Sequence, residues 1–252
     1  PRNYYQNGGY PPCMPYLRAQ VDGMRVLGLF TGLKSWEKPF IENGDSVFMT
    51  DINEAYTYCN FIGDLRDIKT EDIVTELGGY PDIIVASPPC TTFSIASCSH
   101  HWHPPTEDNL RIPKSESAII GLELLHKTLE LVDYFKPKFW ILENPRGLMR
   151  KMDCLEGFNR STVWYCQYGD IRAKPTDLWG KFPESFIPRK ECKNHSFKDG
   201  IRISNHCNHE VARRGAKTGT QGLKDNASRS VIPAKLCEEW FEACKRGLNS
   251  EE

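Results

Sequence analysis

The chain has 252 residues, 39% of them hydrophobic and 26% charged, and a formal net charge of −1. That is apolar material enough for one α/β domain of ordinary size, or one with a small appendage, and it excludes a disordered polypeptide except at the ends. No apolar run approaches the ~20 residues of a membrane-spanning helix, no secretory signal is visible, and the near-neutral charge requires any nucleic-acid contact to come from a local cationic face.

Residues 1–23 are rich in Tyr, Pro, Gly and Asn without periodicity and read as an irregular arm; the chain opens on Pro1 rather than Met, which leaves processing or truncation open. Arg25–Phe30 is a short apolar run expected to be a buried strand. Gly32 marks a turn, Ser35–Asn43 reads as a helix, Ser46–Thr50 as a second strand ending at Asp51, and Asn53–Tyr58 as the next helix. Pro81–Ala86 is a third strand. Across Lys114–Phe135, Ala118, Leu122, Leu125, Leu129, Val132 and Phe135 recur at helical spacing until Pro137 ends the pattern. Phe139–Leu142 and Ser161–Gln167 are the fourth and fifth strands. The pattern weakens from Thr176, and residues 180–228 are polar, loop-rich and basic. Pro233–Lys245 reads as a closing helix, with Leu236, Trp240 and Cys244 at spacing four. The ten cysteines are scattered, and Cys166, Cys237 and Cys244 lie in apolar stretches, as reduced core residues of an intracellular protein do.

Short buried strands alternating with helices predict an α/β fold, a mostly parallel sheet with helices on both faces. Such sheets bind ligands beyond the carboxyl ends of their strands, and that is where Gly32, Asp51, Cys90 and Glu143 fall. Two of these sit in stiff segments. Ser87-Pro88-Pro89-Cys90 presents a thiol on a turn that two prolines bar from helix; a structural cysteine belongs inside the strand, whereas a nucleophile needs partial exposure. Glu143-Asn144-Pro145-Arg146-Gly147 places a carboxylate at the end of the next strand. A lone Glu there is ordinarily a surface residue or a cap, but this one shares a sheet edge with the Pro-Pro-Cys turn. Asp51 alone reads equally well as a helix cap.

These segments resemble the cytosine C5-methyltransferase family. Pro88-Pro89-Cys90 with Thr91-Thr92-Phe93-Ser94 is similar to its nucleophile loop, and Glu143-Asn144-Pro145 to its Glu-Asn-Val element. Leu29-Phe30-Thr31-Gly32 and Gly63-Asp64-Leu65 are similar to two cofactor elements, and Tyr168–Lys174 to the segment with a Gln-x-Arg-x-Arg pattern. The matches run in the family's order over residues 25 to 180. The resemblance implies a Rossmann-like S-adenosylmethionine-dependent methyltransferase fold acting on double-stranded DNA. Cys90 adds to C6 of a flipped-out cytosine, Glu143 protonates or hydrogen-bonds N3, and Arg172 and Lys174 hold the base. Phe30, Thr31, Gly32, Asp51, Ile52, Asp64, Leu65 and Pro88 are the expected cofactor contacts, with Asp51 on the ribose and Asp64 on the adenine amino group. Pro89, Ser94, Asn144 and Arg146 are the expected substrate contacts. Thr91–Thr106 is expected to be a mobile loop closing over the base, with its His100-His101-Trp102-His103 run on phosphates and groove rather than a metal. The short length and the Thr31-Gly32-Leu33-Lys34-Ser35 loop resemble small phage-encoded members.

The sequence departs from that pattern in the first loop, where Lys34 and Ser35 replace later glycines, and in the cationic pattern, which reads Arg172-x-Lys174-x-Thr176. The expected organisation is an arm (1–23), a catalytic and cofactor-binding domain (24–179), a small target-recognition region (180–228) and a C-terminal helical segment packing back on the catalytic domain (229–252). A region of about fifty residues reads few base edges, so the target sequence is expected to be short or relaxed. The cationic face is expected from Arg189, Lys190, Lys193, Lys198, Arg202, Arg213, Arg214, Lys217, Lys224 and Arg229. Cys192-x-x-His195 and Cys207-x-His209 have spacings that a zinc knot could use, but ordinary loop residues are the preferred reading and no metal is expected. A monomer in the cytoplasm of a bacterial or phage-infected cell is expected. The alternatives are an RNA (tRNA-type) cytosine C5-methyltransferase, with the same chemistry on another acceptor, and a catalytically inactive DNA-binding or regulatory homologue.

Overall fold

The computed structural model describes residues 23–106, 111–192, 197–198, 201–202 and 226–250. In chain order the elements are β1 (Arg25–Leu29), α1 (Lys38–Asn43), β2 (Ser46–Asp51), β3 (Phe61–Ile62), α2 (Thr70–Leu77), β4 (Ile83–Ala86), α3 (Cys98–His101), α4 (Glu116–Phe135), β5 (Phe139–Pro145), β6 (Arg160–Trp164), β7 (Pro175–Lys181), β8 (Phe197–Lys198), β9 (Ile201–Arg202), α5 (Asn226–Ser230) and α6 (Ala234–Asn249). Seven strands form one sheet in the order β3-β2-β1-β4-β5-β7-β6. β1, β2, β3, β4 and β5 run parallel, and β7 inserts antiparallel between β5 and β6. β8 and β9 form a separate antiparallel pair.

The central strands are apolar throughout because both faces are covered. Leu27, Leu29, Ile84 and Leu142 face Ile73 and Leu77 of α2 and Leu125 and Leu131 of α4. The alternate residues Val26, Ile83, Val85 and Ile141 face Phe40 of α1 and Leu236 and Trp240 of α6. α4 starts where Ser115 Oγ accepts from the Ala118 amide, a cap worth about 1 kcal/mol. It ends at Lys136, in the left-handed conformation before Pro137. α6 docks through Phe241 edge-on to Phe40, with ring centroids 5.1 Å apart, and through Trp240 against Trp36 and Phe186. Truncating Trp240 to Ala would cost roughly 3–5 kcal/mol.

Three expected elements differ. Asn53–Tyr58 is a chain of turns: Asp51 Oδ1 accepts from the Asn53 amide and Asn53 Oδ1 from the Ala55 amide, so side-chain acceptors displace the helical pattern. The expected helix from Ser35 begins only at Lys38, because Lys34 takes a positive φ of 58° and residues 31–37 form tight turns. The fifth strand ends at Trp164, and Tyr165–Tyr168 is a 3-10 turn. β7 falls where the sequence pattern weakens. No helix among the described residues is long and apolar enough to cross a membrane.

Candidate active site

At the carboxyl end of β4, Ser87 still donates to Leu29 O, and the two prolines then carry the chain to Cys90, which is partly exposed. Two neighbours fix this turn. The buried Asn144 side chain donates to Pro88 O at 2.9 Å, and the Leu148 amide donates to Phe93 O at 2.7 Å. The second contact requires Gly147, because a Cβ there would lie 2.3 Å from Phe93 O. Beyond Cys90, the Phe93 and Ser94 amides both donate to its carbonyl. Phe93 stacks on Trp102 at 5.4 Å, Trp102 Nε1 donates to Thr92 O at 2.9 Å, and Lys114 Nζ donates to Ser99 O. His101 Nδ1 meets Ser115 Oγ at 2.8 Å. The segment expected to be a mobile loop is therefore tied to its own backbone and to the start of α4 in its described part.

Glu143 lies inside β5 opposite Leu178 and is 5% exposed. The fully buried Tyr165 hydroxyl donates to its Oε1 at 2.8 Å. The Lys174 ammonium sits 4.6 Å from the centre of the Tyr165 ring and donates to Arg229 O at 2.9 Å. These groups share one field. Burial pushes the Cys90 thiol up, the Glu143 charge pushes it further, and Lys174 opposes both. Burial pushes Lys174 down, against the pull of Glu143. Tyr165 is pushed well up by burial and by the charge of Glu143. The thiol, the carboxyl and the ammonium expected from sequence are thus brought together.

Arg172 is a correction. It is 4% exposed, and its five N–H donors are all committed: to both oxygens of Asp170 and to the carbonyls of Ser228, Arg229 and Val231. It clasps the C-terminal segment and has no donor left for a base. Thr176 is buried in β7, and its hydroxyl donates to Lys174 O. Asn144 is likewise a buried brace rather than an open contact, while Ser94 pairs with Ser97 at 2.8 Å. Pro89 and Arg146 are exposed at the rim, with Arg146 5.4 Å from the ring of Trp164.

The other half of the edge is built from β1 and β2. Phe30, Gly32 and Lys34 all have positive φ, and Thr31 is pulled inward to donate to Gly28 O and Glu37 Oε1. Gly28 makes room for Glu37, whose Oε1 would lie 2.4 Å from a Cβ there. Asp51 Oδ2 accepts from the Gly32 amide at 2.8 Å, and the Tyr58 hydroxyl donates to Gly32 O beneath the Lys34 ammonium. Ile52 is 69% exposed beside Asp51. An acceptor carboxylate next to an uncovered apolar side chain fits a nucleoside, with its ribose hydroxyls on one and its base on the other. Glu37 Oε2, buried beneath this loop, has no hydrogen-bond partner. Asp64 is held below the usual carboxylate range by Arg66, which also reaches Glu123. The Leu65 side chain lies in the core, and Pro88 is buried.

Of the zinc candidates, Cys192 is buried, and His195, Cys207 and His209 lie outside the described residues. Among the described residues no group of three or more His, Cys, Asp or Glu could hold a metal. Lys193, Arg213, Arg214, Lys217 and Lys224 are also outside them. Arg189 is not a free cation, because it pairs with Glu239 and donates to Gln167 O. Tyr165, Glu37 and Asp170 escaped the sequence reading: Tyr165 because its partner comes from 22 residues away, Glu37 and Asp170 because a carboxylate near Thr31 or Arg172 reads as an ordinary polar loop residue.

The model of the C-5 cytosine-specific DNA methylase family matches residues 24–161, more than half of the chain. The chain belongs to that family. Among relatives of this methylase, a Frog virus 3 protein named "Probable DNA (cytosine-5)-methyltransferase" is 27% identical over 229 residues, covering 85% of this chain and 98% of the viral one. The orphan methyltransferase M.SPBetaI of Bacillus phage SPbeta is 27% identical over 157 residues, covering 50% of this chain and 34% of its own length. The match thus takes in about a third of the phage protein. A solved E. coli structure titled "putative DNA modification methyltransferase encoded within prophage" is 17% identical, with a TM-score of 0.46 over 68% of this chain and 52% of that one.

Proposed function

We propose that the chain transfers a methyl group from S-adenosylmethionine to C5 of a cytosine in double-stranded DNA, through a transient bond between Cys90 and C6. The observation that carries this reading is that Asn144, next to Glu143 on β5, donates to Pro88 O of the Pro88-Pro89-Cys90 turn at 2.9 Å, so that the thiol turn and the carboxyl strand meet at the sheet's carboxyl edge, with Lys174 on the face of the Tyr165 ring whose hydroxyl binds Glu143. Asp51, Ile52 and the Phe30–Gly32 loop would hold the donor, with Asp64 after it releases Arg66; when bound, S-adenosylmethionine supplies an electrophilic methyl group.

C5 of cytosine is a weak nucleophile. Addition of the Cys90 thiolate across C6 moves the ring electrons toward C5 and N3, and a Glu143 proton or hydrogen bond at N3 neutralises the charge that develops. Lys174 favours the thiolate against the burial that disfavours it. After methylation, a base removes the C5 proton and the C6–sulfur bond breaks, regenerating the thiolate. C6 is reachable only when the base leaves the stack. Residues 180–228 are proposed as the recognition region, and residues 229–252 as the segment that closes the base side.

Duplex DNA carrying 5-fluorocytosine tests the reading, because fluorine at C5 cannot be lost as a proton. With S-adenosylmethionine present, mass spectrometry is expected to find a covalent adduct on the peptide containing Cys90. Methylation of normal duplex DNA with no such adduct would overturn the mechanism. Adducts on tRNA and none on duplex DNA would move the acceptor to RNA.

A further inference from the structure

We propose that Tyr165 is a positioning residue for the Glu143 carboxyl, fixing which oxygen faces the cytosine and keeping the carboxyl from pairing with Lys174. This rests on the proposed roles of Glu143 and Lys174.

Tyr165 has no solvent exposure and stands on the 3-10 turn after β6, 22 residues from the glutamate it contacts. Its hydroxyl donates to Glu143 Oε1, and burial together with that carboxylate keeps the phenol protonated. It is therefore a permanent donor rather than a second acid. With Oε1 engaged by the phenol, Oε2 is the oxygen left to carry the proton that N3 requires. The same ring supports the Lys174 ammonium on its face, while that ammonium donates to Arg229 O rather than to Glu143. A direct Glu143–Lys174 pair would damage both ends of the reaction. It would hold the carboxyl ionised when N3 needs a proton, and it would draw the cation from the Cys90 thiolate. One buried phenol prevents both by occupying the oxygen and supporting the ammonium.

The test is a double-mutant cycle on the full chain, with Y165F, E143Q and the two combined. Single-turnover methyl transfer, S-adenosylmethionine and DNA dissociation constants, and Tm are measured for each. Y165F is expected to slow transfer by roughly ten- to a hundredfold, the range for a hydrogen bond to a charged group, with both dissociation constants within about twofold of the parent. In the E143Q background it should cost less than about twofold. An unchanged rate in Y165F, or an equal loss in both backgrounds, overturns the proposal. If Y165F also loses cofactor binding, 3-fluorotyrosine at position 165 keeps the shape and strengthens the donor. A rate change that requires Glu143 then supports the proposal, and none overturns it. The 5-fluorocytosine adduct of the parent separates the two readings: its absence sinks the mechanism, while its presence with a silent Y165F sinks only the role of Tyr165.

Discussion

The two halves of the sheet's carboxyl edge are built on opposite principles. Around β1 and β2, Asp51 is turned out on backbone amides and Ile52 is uncovered. Around β4, β5 and β7, Glu143, Tyr165, Lys174 and Arg172 contact or charge one another out of water. A surface that must admit and release a nucleoside cannot already have its acceptors closed over. A surface that steers charge through a ring must hold its groups in place, and low-dielectric surroundings make each of them count for more. On the proposed reading, the buried half concerns rate and the open half affinity.

The sharpest way to break that contrast is Cys90→Ala. Methyl transfer should fall at least about a thousandfold, with cofactor affinity within about twofold by calorimetry; a matching loss of affinity would mean that the halves are not separable. Glu37→Gln probes the one buried carboxyl of the open half. Burial raises Glu37 to about 7 from 4.5, so the folded chain binds more protons than the unfolded one between these values, and stability falls as pH rises through that window. The loss is about 3 kcal/mol above pH 7. The variant should be more stable at pH 8 and lose most of the parent's decline in Tm between pH 5 and 7. Lys174→Met removes the cation that opposes the upward push on Cys90. Transfer should slow roughly ten- to thirtyfold, and the rising limb of the pH–rate profile should move to higher pH, because the thiolate then forms later. Asp51→Ala should raise the cofactor dissociation constant about tenfold, the scale of one or two hydrogen bonds, while the rate at saturating cofactor changes by less than about threefold.

The parallel core was legible because β1, β2, β4 and β5 are short apolar runs, and the residues just past them are the ones a strand-end rule selects. β7 was not, because its first half, Pro175-Thr176-Asp177, is polar. Asp177 is 0% exposed yet forms a strand residue, since Arg150 and Thr162 bring it the donors it needs from 27 and 15 residues away. Hydrophobic periodicity has no term for such a partner. Cys90 and Glu143 announced themselves through prolines, a local signal. Tyr165 did not, because an aromatic residue at a strand end reads as core until its hydroxyl is seen to have a partner. Arg172 was assigned to the base by its place in the segment resembling the Gln-x-Arg-x-Arg pattern, and only the three distant carbonyls it binds reveal another use.

Those carbonyls lie 56, 57 and 59 residues beyond Arg172, and Lys174 reaches the middle one. During translation the cysteine, the glutamate and both cations are therefore made well before the strand of chain that seats them. A nascent chain still missing residues 228–231 would carry Cys90 and Glu143 without the carbonyls that seat Arg172 and Lys174. On the proposed reading, methyl transfer then waits until the segment around Arg229 has been made and has folded back onto Arg172 and Lys174.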